Sequence, residues 1–438
     1  MFTRSKAAPV TVRLTPGLYQ RLTPTIVTHL FHIESIALVK DWPEIDLEVF
    51  MQSLTEAAPL LESLHVFNVS YDRNITVPIN MFGNCTPRLR NLHLCRCIFS
   101  WAWFSFQGLE RLHVSCKPKN RGPLMGHDKF WDFLDNIRHT LRSITLIDCL
   151  PSRPISDSRN RVIKFQTLAQ ISLTGTALEC IQFLHSVDIP ISTSLSLSLS
   201  SEAGADVCYE ALPFVSEHLS RARVFIQEVT LDAAWDGPGR FCFSVLASDD
   251  LSPKGAACIA FSLSWRGPHE TIILPVARRI LDALPIRNIQ RLCVDSEEFP
   301  WTPALWRGIY GDFKDIRSLH ISGPAFDGLC DTSLIPTDGP DENIEPGTHQ
   351  PTNGSLQTGH LLFPRLARLL LYHVDLLMTE DATIRNTPFF SWLSRHGQHA
   401  LTTLEIEECY TAPQDVEAMA QVVAQVSWDG ITNGLECL

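Results

Sequence analysis

The sequence lacks the long apolar runs and the catalytic motifs that mark membrane proteins and the common enzyme classes. It has no run of about eighteen apolar residues, so no membrane-spanning helix is predicted. The residues that follow Lys6 alternate in polarity instead of forming an apolar stretch, so no secretory signal is predicted. Also missing are a glycine-rich phosphate loop, G-x-S-x-G, H-E-x-x-H and C-x-x-C. We therefore expect no cofactor and no catalysis, with a divergent enzyme site as a further hypothesis.

Positive charge is also scarce. The chain has 36 Lys and Arg against 48 Asp and Glu, which gives a net charge of −12 over 438 residues. Nucleic-acid-binding surfaces are built from Lys and Arg, so we expect no nucleic-acid partner. The 13 cysteines are scattered and odd in number, which favours free thiols in a reducing compartment over a disulfide framework. We therefore expect an intracellular protein, in the cytoplasm or the nucleus.

One short phrase recurs along the chain. Residues 89–97 read L-x-x-L-x-L-x-x-C, which is typical of the strand and exit turn of a leucine-rich repeat. We find ten copies of its aliphatic triplet, and the first six are separated by 28, 28, 20, 32 and 27 residues. The ten triplets are Ile33/Ile36/Leu38, Leu61/Leu64/Val66, Leu89/Leu92/Leu94, Leu109/Leu112/Val114, Leu141/Ile144/Leu146, Leu168/Ile171/Leu173, Ile289/Leu292/Val294, Ile316/Leu319/Ile321, Leu366/Leu369/Leu371 and Leu401/Leu404/Ile406. Any leucine-rich chain contains some such triplets by chance, but ten with compatible spacing favour a repeat architecture.

The repeats predict the fold class. We expect an α/β protein in which residues 1–438 form a single leucine-rich-repeat solenoid, or horseshoe. Its concave face would carry parallel strands, and its convex face irregular helices and loops. Amphipathic patterns predict convex helices, with the last one as a C-terminal cap. The helices with the clearest patterns span residues 43–58, 127–140, 271–284, 387–399 and 414–426.

Two segments depart from the regular pattern. Residues 176–286 contain further strand-like and helix-like stretches, which we interpret as degenerate repeats; a small inserted sheet is the alternative. Residues 327–360 contain six acidic residues, no Lys or Arg, and much Pro, Gly, Asn and Thr. Such a composition buries too little apolar surface to fix the backbone, so we predict a disordered acidic loop within the solenoid.

The repeat register also predicts a binding face. The residue between the two strand aliphatics points away from the core, and in successive copies it is His65, His93 and His113, with His320 further on. Strands lie about 4.8 Å apart, so three imidazoles would form a ladder. The ladder could be a metal site, a contact surface that responds near pH 6, or simply a row of tolerated strand residues.

Arg, His, Tyr and Asn on such a face combine area with directional hydrogen bonds, which suits recognition of a protein partner. The candidate binding residues on the predicted concave face are Asn91, His93, Arg111, His113, Arg291, Asp295, His320, Arg368 and Tyr372. Cys95 and Cys97 lie close enough for zinc, but two further ligands at suitable spacing are missing, so no metal is expected. Acidic pairs such as Glu407-Glu408 are interpreted as solvated turns.

Several consecutive phrases within residues 8–175 carry a resemblance to a known family. They are Ala8-Pro9-Val10-Thr11-Val12, Leu60-Leu61-Glu62-Ser63-Leu64, Asn80-Met81-Phe82-Gly83, Pro87-Arg88-Leu89-Arg90-Asn91-Leu92-His93-Leu94, Cys97-Ile98-Phe99-Ser100-Trp101, Leu109-Glu110-Arg111-Leu112, and Leu141-Arg142-Ser143-Ile144-Thr145-Leu146 with Leu150-Pro151. Together they resemble the leucine-rich-repeat regions of fungal F-box domain-containing proteins. The remainder of the chain resembles them more loosely.

That resemblance implies a function. In the family, an F-box docks on a Skp-type adaptor of a cullin ubiquitin ligase, and the repeats hold the substrate. We identify no F-box-like segment before Ala8, so an adaptor is expected as a partner only if an F-box lies upstream. The expected function is therefore noncatalytic protein binding, as in substrate recognition for a ubiquitin ligase. The alternative is a repeat scaffold or inhibitor with no link to a ubiquitin ligase.

Overall fold

The computed structural model divides the chain into two compact units. The first comprises Met1–Ala222 and Cys258–Leu263, and the second comprises Arg223–Ala257 and Ser264–Leu438. The residues that the structure describes are 8–15, 19–38, 44–68, 74–101, 106–117, 126–151, 162–201, 205–222, 226–235, 240–248, 259–266, 273–284, 286, 289–296, 301–332, 361–376 and 384–431.

The first unit is built on an open sheet of parallel strands. In spatial order these strands are β1 (Val10–Leu14), β2 (Ile33–Leu38), β3 (Ser63–Phe67), β5 (Asn91–Cys95), β7 (Arg111–Ser115), β8 (Ser143–Ile147), β10 (Gln170–Thr176) and β12 (Ser194–Ser201). Beside β12 lies β15 (Ile259–Arg266), whose first residues belong to this unit. Two short parallel pairs lie apart from this sheet: β4 (Ile75–Thr76) with β6 (Cys97–Ile98), and β9 (Ile163–Lys164) with β11 (Val187–Asp188).

The second unit is also built on an open and mostly parallel sheet. Its strands in spatial order are β14 (Arg240–Ser248), β13 (Glu228–Trp235), β16 (Arg291–Asp295), β17 (Ser318–Ser322), β18 (Arg368–Tyr372), β19 (Thr403–Glu407) and β20 (Gln425–Trp428). The pair β13–β14 is antiparallel, and every later neighbouring pair from β13 to β20 is parallel.

The ten predicted strands are confirmed. The second and third aliphatic residues of every triplet lie in a strand, and all thirty aliphatic residues are at most 2% exposed. Apart from the buried Ser115, their polar neighbours in the strands are half-buried or exposed. In β5, for example, Leu92 and Leu94 are buried between half-buried Asn91, His93 and Cys95. Strand side chains alternate in direction, so this pattern gives each sheet one apolar and one polar face. The α/β class expected from the sequence is confirmed.

Ten α-helices connect strands in the described part of the chain. They are α1 (Tyr19–Thr28), α2 (Glu44–Ser53), α3 (His127–Ile137), α4 (Ala177–His185), α5 (Leu212–Ala222), α6 (Ile273–Ala283), α7 (Pro303–Tyr310), α8 (Ala325–Asp331), α9 (Pro388–Gly397) and α10 (Pro413–Met419). Local sequence explains several starts: the hydroxyls of Thr302 and Thr387 accept hydrogen bonds from backbone N–H groups of α7 and α9, and Pro occupies the first helical position.

The core consists of the aliphatic strand residues together with aromatic rings from the helices and connections. Trp101 is 2% exposed, and its ring centroid lies 4.4 Å from that of Phe99 and 4.8 Å from that of Phe130 on α3. In the second unit the indole N–H of Trp306 on α7 donates to the carbonyl of Ala325, at 2.9 Å. This bond satisfies a polar atom that would otherwise be buried at a cost of about 1–3 kcal/mol.

The predicted helix over 414–426 is wrong in its second half. Helix α10 ends at Met419, and residues 425–428 form β20, which pairs with β19. A last strand satisfies the backbone groups of β19 on that side, which a helix cannot do. The sheet of the second unit therefore ends in a strand, and the expected helical cap gives way to α10 followed by β20.

The two irregular segments also differ from expectation in detail. The acidic segment 327–360 starts as helix, because residues 327–331 belong to α8 and Leu329 and Cys330 are buried; residues 333–360 lie outside the described residues. Within 176–286, β12 continues the parallel arrangement, whereas β13 and β14 form an antiparallel pair that a regular array of parallel repeats does not contain.

None of the described helices is both long enough and apolar enough to span a lipid bilayer.

Candidate functional site

Three histidines of the first unit stand on neighbouring strands of the polar face. His65 on β3 is in register with His93 on β5, and His93 is in register with His113 on β7. The ring centroids of His65 and His93 are 5.6 Å apart, and those of His93 and His113 are 3.9 Å apart. The predicted ladder of imidazoles is therefore present, and its rings are in mutual contact.

Burial lowers the pKa of all three imidazoles, and for His93 the two neighbouring rings add to the effect. The pKa of His93 is lowered to about 4, mainly because the ring is partly buried, and further because His113 and His65 would repel its charge. Burial also lowers the pKa of His65 and His113, with the positive charge of Arg13 adding to the effect on His65. His93 by itself therefore titrates well below pH 6. The sequence had predicted a response near pH 6.

Polar and aromatic neighbours extend the ladder. Asn91 and Arg111 are in register on β5 and β7, one step along the polar face from the histidines. The Ser63 hydroxyl lies 2.8 Å from Nε2 of His65, within hydrogen-bonding distance. The ring of Phe67 has its centroid 4.5 Å from that of His93. The structure thus brings together the four predicted residues of the first unit, Asn91, His93, Arg111 and His113.

The five predicted residues of the second unit also share one polar face. Arg291, Ser318 and Arg368 are in register on β16, β17 and β18. The His320 ring forms an edge-to-face pair with Tyr372 at 6.2 Å, and its Nδ1 lies 3.5 Å from the sulfur of Cys293. The pKa of His320 is lowered by burial, and the nearby carboxylates of Asp295, Glu407 and Glu228 oppose this effect without reversing it.

Sequence reasoning missed the carboxylates of this second face. Arg291 Nε donates to Glu228 at 3.1 Å, and an Arg368 guanidinium nitrogen donates to Glu405 at 2.6 Å. Glu405 lies between the strand aliphatics Leu404 and Ile406, so the rule that selected His93 also selects Glu405. Glu228 has no such signal, because its partner is 63 residues away in the chain.

The pair Glu407-Glu408 has a more specific setting than a solvated turn. Tyr372 donates its hydroxyl to Glu408 at 3.1 Å, and its ring stacks on His373 with centroids 4.4 Å apart. The hydrogen bond to Glu408 raises the pKa of Tyr372. His373 also pairs with Glu408. Glu408 therefore fixes the position of two rings at the exit of β18.

The cysteines of the opening phrase have different surroundings. Cys97 is fully buried and donates its thiol to the carbonyl of Cys95 at 3.3 Å, whereas Cys95 is half-buried on the polar face. Burial, with Cys116 and Cys95 nearby, raises the pKa of the Cys97 thiol well above its usual range. No group of three or more His, Cys, Asp and Glu side chains in the described part of the chain is arranged to hold a metal ion.

No protein-family model matches the chain, and no curated protein is detectably similar to it in sequence.

Proposed function

We propose that this chain is a noncatalytic protein-binding module, built as a leucine-rich-repeat solenoid with its strands on the concave face and its helices on the convex face. The repeat interpretation is supported by ten phrases that each form a strand with a buried triplet, and by the parallel register of neighbouring strands. Each repeat buries its apolar face against the next and leaves its polar residues for a partner.

One observation carries the binding proposal: rows of polar side chains in register across neighbouring strands. Asn91 with Arg111 and His93 with His113 form two such rows in the first unit, and Arg291 with Arg368 flanks Ser318 in the second. A flat face that presents Arg, His, Asn and Tyr offers rigid contact area and directional hydrogen bonds. Those are the properties of binding hot spots in protein interfaces.

The proposed role is recognition of a protein substrate, as in the repeat region of F-box subunits of ubiquitin ligases. Its support is the resemblance of the phrases in residues 8–175, and a Skp-type adaptor is the partner it implies. Copurification of the full-length gene product with a Skp-type adaptor is the expected result. Full-length material that never associates with such an adaptor would leave the alternative function, a scaffold or inhibitor.

The binding face itself is tested by site-specific crosslinking. A photoreactive amino acid would replace His113 or Tyr372 on the polar faces, and Leu178 on α4 as a matched exposed control that is 56% exposed. Crosslinks to the same partner protein are expected from positions 113 and 372 and not from 178. Crosslinking that is equally strong from Leu178, or that comes from it alone, would contradict recognition by the polar faces.

A further inference from the structure

The polar face of the first unit carries donors and rings where the histidines stand, and no carboxylate. Nine side chains on three adjacent strands make up this part of the face. They are Ser63, His65 and Phe67 on β3, Asn91, His93 and Cys95 on β5, and Arg111, His113 and Ser115 on β7. None of these nine side chains is Asp or Glu, and Arg111 carries the one permanent charge among them.

The corresponding face of the second unit has the opposite character. Among the side chains that the structure describes, its strands carry five carboxylates and two guanidinium groups, and each of these two arginines is paired with a carboxylate. The five carboxylates are those of Glu228, Asp232, Asp295, Glu405 and Glu407. Because like charges repel, a partner segment that suits one of these faces does not suit the other.

Arg111 differs from Arg90 and Arg142, which lie at the starts of the neighbouring strands. Arg90 pairs with Glu110 at 2.8 Å, and Arg142 lies 3.7 Å from the same carboxylate. Within the described residues, by contrast, no carboxylate lies within ion-pairing distance of Arg111, although its side chain is exposed on β7. A guanidinium on an exposed face is a bidentate donor for a carboxylate from outside the chain.

We propose that the imidazole patch, defined as His65, Asn91, His93, Arg111 and His113, binds an acidic peptide segment of a protein partner. The inference rests on the proposed function and names the chemistry of its partner. The segment's carboxylates accept hydrogen bonds from Arg111, from the Asn91 amide and from the imidazoles. Phe67, whose ring lies against His93, supplies an apolar contact beside them.

Binding of this kind takes up protons. The groups facing the imidazoles are Arg13 on β1, Ser35 and Ala37 on β2, Cys95 on β5, Arg111 and Ser115 on β7, and Ser143 and Thr145 on β8. Further charges lie at the strand starts, on Glu34, Glu62, Arg90, Glu110 and Arg142. Of all these, only Arg13 and the histidines themselves shift the pKa values of the ladder besides burial, and all lower them.

A bound carboxylate supplies the counter-charge that the ladder lacks and raises the pKa values of its imidazoles. Affinity for an acidic segment must therefore rise as the pH falls, by up to about tenfold per pH unit for each proton taken up. A partner held by apolar contacts alone would bind with the same affinity at about pH 7.5 as at about pH 5.5.

The test uses the full chain and three fluorescent peptides of equal length: one rich in Glu, one with Gln at the same positions, and one with Lys. Fluorescence anisotropy gives their affinities between about pH 7.5 and about pH 5.5, where histidine linkage acts. The variants are Arg111→Gln and His93→Gln, with Arg88→Gln as the matched control, because Arg88 is an exposed arginine in the turn before β5.

The Glu peptide is expected to bind at least about tenfold more tightly than the Gln and Lys peptides, and more tightly still at the lower pH. Arg111→Gln should weaken it about tenfold, His93→Gln should flatten the pH dependence, and Arg88→Gln should change neither. Equal binding of all three peptides, tighter binding of the Lys peptide, or equal effects of Arg88→Gln and Arg111→Gln would overturn the inference. If crosslinking from positions 113 and 372 succeeded, the proposed function would still be supported. If that crosslinking failed, the proposed function would be contradicted whether or not the peptides bind.

Discussion

Gly328 lies directly against the carbonyl oxygen of Trp301: a methyl group placed on its α-carbon would overlap that oxygen. Gly328 is inside α8, and Trp301 lies just before α7, so the contact joins backbone to backbone with no side chain that could move aside. The close approach of these two segments therefore depends on the absence of a β-carbon at position 328.

Gly328→Ala is expected to destabilise the protein by about 3 kcal/mol or more, because relief of the overlap requires α8 to shift as a whole. Gly108→Ala is the matched control, since a β-carbon there meets no atom within 4 Å. The control should lie within about 0.5 kcal/mol of the parent chain. Urea denaturation followed by circular dichroism measures both, and equal stability of the two variants would refute the close packing of α8.

Residues on β5 and β7 alternate between the core and the polar face, so substitutions on the two faces should differ greatly in their effect on the free energy of unfolding. Leu92 is 1% exposed within the core, so Leu92→Ala should lower the free energy of unfolding by about 2–5 kcal/mol. Arg111 is exposed on the polar face, and Arg111→Ala should cost less than about 0.5 kcal/mol. A comparable loss from both substitutions in urea denaturation would mean that the assigned register of these strands is wrong.

The strands were predictable because each of the ten phrases places aliphatic residues two positions apart, which is the period of a strand with one buried face. β20 was not, because Val422, Val423 and Val426 fit a helical apolar stripe as well as a strand. Nor was the antiparallel pairing of β13 with β14, since alternation is the same for strands of either direction. Local pattern determines which residues are buried, whereas pairing direction depends on contacts between distant segments.

The candidate site likewise has features that could be predicted from the sequence and features that could not. Register along the repeats was enough to predict that His93 and His113 would be neighbours, because each phrase assigns its own polar positions. It did not predict the ion pair of Arg291 with Glu228, which requires knowing that β13 lies beside β16. The lowered pKa of His93 likewise depends on burial and on the approach of two other rings, which no single phrase contains.

The cysteines should differ sharply in reactivity toward alkylating reagents. Of the eleven cysteines that the structure describes, Cys85 is the exposed one, and seven are buried. The thiolate is the reactive form, and burial raises the pKa of the Cys97 thiol well above its usual range. In a Cys258→Ser and Cys437→Ser background, mass spectrometry should therefore find iodoacetamide on Cys85 first and on Cys97 only after unfolding.

Cys85→Ser in that background is the control, and it should remove the fast phase of labelling without exposing the buried thiols. Rapid modification of Cys97 in the native protein would contradict its complete burial.

His93 makes the stability of the first unit depend on pH. Its pKa is about 4 in the folded protein, against an ordinary value of 6.5. Between these two values the unfolded chain binds more protons than the folded one, so stability must fall as the pH falls. The contribution of His93 is complete above about pH 6.5 and is lost progressively toward about pH 4. Because solvent still reaches the half-buried ring, we expect a loss of about 1 kcal/mol between about pH 7 and about pH 5.

Carbon–proton NMR spectra of the protein labelled at histidine would follow the titration directly, and His93→Gln would assign the His93 resonance. The His93 imidazole should still be neutral at about pH 5. In urea denaturation His93→Gln should reduce the pH dependence of the free energy of unfolding, since glutamine does not titrate. Asn91→Gln, a change on the same strand and face, should leave the dependence as it is. A His93 imidazole that titrates near its ordinary pKa would contradict both its burial and the approach of His65 and His113. The ladder would then lack the repulsion that an acidic partner relieves.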